Sequence, residues 1–283
     1  MRLHATARIF ALSLCMAAGG CGAEDHPAPR ESRLRVTCTT TMLSAVVGAV
    51  GGDKVDVHTI VPFGMCPGHF DLTPGEADKL RNADVILFHG FERFMAGKKP
   101  GSNTEMVKAG VKGNWMVPAI HTQAVARVRD VLAEAMPASG GYFAKRAEAY
   151  SRAVAEKAEQ FRERLAAIRG TPVVSAEMNR SLAEWLGLRV VAEFARDEGA
   201  SVKALHEILN RAKSLRAVLV IDNRQSSGKI GRTIADDLGV PFAILSNFPI
   251  IGFGPGDRPA YLAALSDNCA AVLEALDAKA KDE

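Results

Sequence analysis

From residue 34 onward, short apolar runs alternate with helix-forming stretches. Leu34–Thr40 reads as a strand, and Met42–Val50 as a helix stopped by Gly51-Gly52. Lys54–Val61 reads as a second strand, Pro74–Asn82 as a helix, and Asp84–His89 as a third strand whose interior is wholly apolar. Continuous apolar strands separated by helices predict a parallel sheet with helices on both faces. Residues 95–113 are polar and glycine-rich and suit a sheet edge. Trp115–Val117 has the composition of a short strand, and Pro118 then opens a helix to about Glu134.

Tyr142–Arg169 contains neither proline nor glycine and is rich in Ala, Glu, Lys and Arg. At ~1.5 Å per residue it would span roughly 40 Å, more than one small lobe needs. It reads as a rigid rod between two lobes. After Gly170 the alternation resumes. Strands are expected at Pro172–Ala176, Arg189–Phe194, Ala217–Asp222 and Val240–Leu245. Helices are expected at Asn179–Leu186, Val202–Ser214 (capped by Ser201), Lys229–Leu238 and about Pro259–Ala278. The expected class is α/β: two parallel-sheet lobes joined by a long rigid helix. The divisions fall at 34–120, 121–170 (helices, including the linking one) and 171–283.

One stretch concentrates chemistry. In VPFGMCPGHFDLTPGE, residues 61–76, a loop stiffened by Pro62 and Pro67 presents Cys66 and His69 between a strand and a helix. Thr73 is the expected N-cap, Pro74 the first helical residue, and Glu76 the closing member of a capping box. A thiol and an imidazole on a fixed frame suit a soft or borderline metal. A lone loop histidine beside a small apolar cysteine is the plainer alternative. Glu177 ends the corresponding strand of the second half. There it is open to a ligand, or is a first-turn acid favouring the helix dipole. Asn247 could offer an amide oxygen or serve as a turn residue before Pro249. His89 ends a strand on the side where α/β sheets bind ligands. Asp222-Asn223 supports or caps. His121 is ambiguous, and His58 and His206 read as structural.

Composition narrows the function classes. A net charge of +3, with no basic run interleaved with aromatics, gives no footprint for nucleic acid. No nucleotide-binding loop, H-E-x-x-H or G-x-S-x-G occurs, and no nucleophile–base pair can be named, so the chain is expected not to be an enzyme. Residues 1–21 read as a secretory signal: a basic start, an apolar stretch from Ile9 to Ala18, then Gly19-Gly20-Cys21. Small residues before a cysteine resemble a lipoprotein cleavage site, with Cys21 as the lipidated first residue and residues 22–33 as a polar tether. Cleavage near Ala23 by ordinary signal peptidase is the other option. Cys38, Cys66 and Cys269 remain for the fold, with room for one disulfide at most, Cys38–Cys66 being the pair in question.

These residues together resemble the zinc and manganese solute receptors of bacterial ABC importers (the ZnuA/TroA-like family). The most specific part is VTCTTTMLSAVVGAVGGDKVDVHTIVPFGMCPGHFDLTPGEADKLRNADVILFHG, residues 36–90. The resemblance implies metal held in the cleft between the lobes, with His69 and Glu177 at two of the family's four ligand positions. At the other two, the family's histidine meets Gly113-Asn114-Trp115 and its aspartate meets Asn247. Cys66 is an addition, and a thiolate there would restore the charge lost at Asn247.

The implied function is an extracytoplasmic binding protein, in the periplasm or lipid-anchored at the extracytoplasmic membrane surface. It would be a monomer with no nucleic-acid partner, taking up Zn²⁺, or Mn²⁺ or another divalent transition metal, for an ABC permease. Competing expectations are a receptor for a chelated metal or another small solute, a metal-dependent hydrolase, and a metal-independent adhesin.

Overall fold

Two four-stranded sheets, each entirely parallel, form the frame. The structure is a computed structural model and describes residues 33–98, 101–196, 201–251 and 260–282, all within one compact unit, Ser32–Glu283. The expected signal segment and tether, up to residue 32, lie outside the described residues.

The first sheet holds β1 (Leu34–Cys38), β2 (Val55–Thr59), β3 (Val85–Phe88) and β4 (Glu105–Lys108) in the order β2-β1-β3-β4. The second holds β5 (Pro172–Ala176), β6 (Arg189–Phe194), β7 (Leu219–Asn223) and β8 (Phe242–Leu245) in the order β6-β5-β7-β8. The two sheets thus repeat one topology. In each, the chain steps to one side of the first strand and then returns to the other. Such a switch leaves a crevice beyond the C-terminal strand ends, where α/β sheets bind ligands.

The helices are α1 (Thr41–Gly51), α2 (Pro74–Arg81), α3 (Pro118–Ala135), α4 (Gly140–Arg164), α5 (Arg180–Trp185), α6 (Val202–Ser214), α7 (Lys229–Leu238) and α8 (Ala260–Asp282). Local chemistry explains several of their ends. Thr73 and Glu76 form the reciprocal capping box at α2, with the Thr73 N–H donating to Glu76 Oε2 at 2.8 Å. Ser201 Oγ accepts from the Ala204 N–H at 3.1 Å and starts α6. Gly239, at φ +63°, ends α7 in the left-handed conformation that favours glycine.

The linking helix α4 begins at Gly140, earlier than expected, and ends at Arg164, before a short 3₁₀ turn at Ala166–Ile168. Its 25 residues span about 37 Å. Phe143, Ala147, Tyr150, Val154, Ala158 and Phe161 form its buried stripe, at the three- and four-residue spacing of one helical face. That stripe joins a single apolar core shared by both lobes. Val36 and Leu87 of the first sheet, Val128 and Leu132 of α3, and Leu219 and Ile221 of the second sheet all belong to it. Two smaller clusters fill the outer faces. One includes Ile60, Phe70, Leu80 and Ile86, and the other Val174, Phe194, Val220 and Ile234.

The structure corrects one expected element. Trp115–Val117 is not a strand but a turn leading into α3. Asn114 shapes it: its Oδ1 accepts from the Met116 N–H at 2.8 Å and its carbonyl from the Val117 N–H at 3.0 Å. An Asn side chain bonding backbone two residues on favours a turn over a ladder. The question of a Cys38–Cys66 bridge is also resolved: Cys38, Cys66 and Cys269 are all free. Cys38 is fully buried in β1, and burial pushes its thiol up to about 12.

Candidate functional site

A cavity of about 460 Å³ opens between the lobes at the C-terminal ends of the strands. Each of the eight strands sends a residue from its following segment into the lining. From the first lobe these are Met42 after β1, Cys66 after β2, His89 after β3, and Asn114 with Trp115 after β4. From the second they are Glu177 and Met178 after β5, Arg196 after β6, Asn223 and Gln225 at and after β7, and Asn247 after β8.

The first-lobe wall is built on a buried carboxylate. Glu92, 4% exposed, accepts from Thr39 Oγ1 at 2.5 Å, the His89 N–H at 2.8 Å and the Gly90 N–H at 2.6 Å. This fixes the turn after β3. The His89 ring then lies 2.9 Å from Thr40 Oγ1, stacks on Phe91 and meets the Trp115 ring edge-on. Burial pushes His89 down to about 4, against a smaller opposing pull from Glu92, so the imidazole is neutral at pH 7.

The second-lobe wall is a chain of amides. Asn247 Nδ2 donates to the Met178 carbonyl at 3.1 Å and to Asn223 Oδ1 at 3.3 Å. The Asn247 N–H donates to Gln225 Oε1 at 3.2 Å. Asn114 reaches across from the first lobe and donates through Nδ2 to Asn247 Oδ1 at 2.7 Å and to the Met178 carbonyl at 3.1 Å. On another side, Arg196 Nη1 of the second lobe donates to Cys66 Sγ of the first at 2.9 Å. Two direct polar clasps therefore bridge the lobes at this cavity.

Of the four residues expected to hold metal, Cys66, Glu177 and Asn247 line this one cavity. His69 ends the short turn Pro67–His69, is exposed, and is not among the lining residues. No group of three or more His, Cys, Asp and Glu side chains that could hold a metal forms among the described residues. His121 lies elsewhere: it is fully buried on α3, with its Nε2 3.0 Å from Tyr150 Oη and its ring stacked on Tyr261. Burial pushes it down to about 3.

Sequence reasoning missed Arg196, Gln225 and Phe91 as lining residues. For Arg196 a signal existed, since a charged residue directly after an expected strand end lies where ligands collect.

The model of the ZnuA family, described as zinc-uptake complex component A, periplasmic, matches residues 36–275. The chain belongs to this family. Shorter matches link it to individual relatives. The iron ABC transporter substrate-binding lipoprotein MtsA of Streptococcus pyogenes is 33% identical over 88 residues, 31% of this chain and 26% of that protein. The manganese ABC transporter substrate-binding lipoprotein PsaA of Streptococcus mitis is 30% identical over 70 residues, 25% of this chain and 23% of that protein. These matches thus span about a quarter of the relatives' length.

Solved structures agree with the ZnuA-family fold over far more of the chain. A Cd-bound periplasmic metal-binding protein of Candidatus Liberibacter asiaticus superposes with a TM-score of 0.72 at 17% identity, covering 86% of this chain and 99% of that one. The laminin-binding protein Lmb of Streptococcus agalactiae gives 0.72 at 20% identity, covering 87% and 100%.

Proposed function

We propose that this ZnuA-family chain captures a divalent transition metal, zinc or manganese, outside the cytoplasm and releases it to an ABC permease. The observation that carries the reading is the convergence of all eight strand ends on one interlobe cavity in a chain of this family. Cys66 and Glu177, from opposite lobes, supply a soft and a hard donor, and Asn247 an amide oxygen. His69 is the fourth ligand. It starts from an exposed position, so binding draws it inward through the loop that contains Gly64 and Gly68. Gly64, at φ +86° with nothing within 4 Å of the place a Cβ would take, leaves that segment room to turn.

The role is binding and release rather than turnover. A wide hinge would expose the core that both lobes share, so opening is a small tilt about α4. The names of the relatives support membrane attachment, which we assign to a lipidated Cys21, with the protein acting as a monomer.

Thermal melts in saturating zinc and manganese test the reading. At a hundredfold excess over Kd a ligand adds about 2.7 kcal/mol, which at about 2–4 °C per kcal/mol raises Tm by roughly 5–10 °C. His69→Ala and Glu177→Gln should each remove most of that rise. A Tm that neither metal moves refutes the proposal.

A further inference from the structure

We propose that the ion enters this cleft together with a small organic carboxylate, whose anionic group sits on Arg196. The inference rests on the metal-capture reading and specifies the form in which the metal arrives. It follows from which donors in the cavity are already engaged.

The four amide oxygens of the polar wall all accept internal hydrogen bonds. Asn247 Oδ1 takes the Asn114 amide, Asn114 Oδ1 the Met116 N–H, Gln225 Oε1 the Asn247 N–H, and Asn223 Oδ1 the Asn247 amide. Each of these oxygens thus has one of its two lone pairs engaged, which leaves a naked cation only partly free oxygens on this wall.

Charge points the same way. The Asp, Glu, Lys and Arg side chains lining the cavity are one carboxylate, Glu177, and one guanidinium, Arg196, which cancel. The His89 imidazole is neutral. With a thiolate ligand at Cys66 counted as well, a bare dication would still keep one uncompensated charge, whereas an ion already neutralised by its own ligand would not.

Arg196 supplies the seat. It is half-buried, and among the described residues its one hydrogen bond is the Nη1 donation to Cys66 Sγ. A guanidinium carries five N–H donors in a planar fork that matches a carboxylate. The rest of that fork has no acceptor among the described residues, and Arg196 lines the cavity.

The space also fits. A volume of about 460 Å³ falls within the range of about 300–1,000 Å³ of small-molecule sites and far exceeds a bare ion. Phe91, Trp115, Met178 and Phe248 give it an apolar side for a carbon skeleton.

Isothermal titration of the full mature chain tests this directly. Zinc, manganese and nickel are each titrated alone and as complexes of citrate, malate or L-histidine, and each carboxylate is titrated without metal. The expected result is at least one complex binding ten-fold or more tightly than its metal alone. Arg196→Gln should erase that difference and Arg196→Lys should restore part of it, with both variants melting near the wild type as proof of folding. Bare metals binding as tightly as every complex, with Arg196→Gln without effect, overturns the inference and leaves metal capture intact. A carboxylate binding equally well with and without metal keeps the anion seat and overturns metal capture. No binding in any arm overturns both.

Discussion

Asn247→Asp measures what the amide network of the second-lobe wall contributes. The substitution is nearly isosteric, so it opens no cavity and changes only hydrogen bonding and charge. In the native chain Asn247 Nδ2 donates at 3.1 Å to the Met178 carbonyl and at 3.3 Å to Asn223 Oδ1. A carboxylate puts an acceptor against both acceptors. The Met178 carbonyl keeps its bond from Asn114 at 3.1 Å, so one partner rather than two loses its donor. With the net value of a neutral bond at about 0.5–1.5 kcal/mol and an unsatisfied partner costing about 1–3, the variant should lose about 2 kcal/mol at pH 7. In a domain of this size that is a Tm lower by about 4–8 °C.

The loss depends on pH in a defined direction. Facing two acceptors, the introduced carboxyl keeps its proton more readily in the folded than in the unfolded state, where it titrates near 3.9. The deficit should be small below about pH 4, grow as pH rises through the folded value, and level off above it. Differential scanning calorimetry of both proteins at pH 4 and pH 7 reads this out. Saturating zinc at pH 7 should raise the variant's Tm by more than the wild type's, because the ion finds a second carboxylate. A variant melting within a degree of the wild type at pH 7 would refute the idea that the Asn247 amide donations hold the second-lobe wall together.

Two further outcomes follow from buried groups. Burial lowers His121 from 6.5 to about 3, so the unfolded chain binds the extra proton in that window. Stability is full above about pH 6.5 and is lost as pH falls toward 3. His121→Phe should flatten this acid limb by up to one proton, about 1.4 kcal/mol per pH unit, while costing about 1–3 kcal/mol at pH 7 by stranding the buried Tyr150 hydroxyl. Urea unfolding at several pH values checks both. Gly231 is buried in α7, and a Cβ there would lie 2.4 Å from Asp222 Oδ2 and 2.8 Å from its Cβ. Gly231→Ala should therefore lower stability by about 1–3 kcal/mol despite its better helix propensity, as seen by chemical denaturation. A stabilised variant would mean that α7 does not press on β7 at this point.

The chain's own pattern determined the sequence of elements and much of their detail. Helices α6 and α7 and strand β6 fall on their expected residues, and the capping box at Thr73 closes as its spacing requires. These features arise from contacts within a few residues, where periodicity and capping chemistry are written directly. The family likeness was legible for the same reason, being concentrated in the segment around β1 to β3.

What only the tertiary structure decided is who meets whom. Asn114 and Asn247 are 133 residues apart in sequence and 2.7 Å apart in space. Cys66 and Arg196 are separated by 130 residues and meet at 2.9 Å. His121 has the composition of a candidate ligand and is sealed among tyrosines from α4 and α8. Trp115 has the composition of a strand and sits in a turn because Asn114 bonds its own backbone. No local rule ranks such pairings, because each depends on the register of two sheets brought face to face by a core that neither half completes alone.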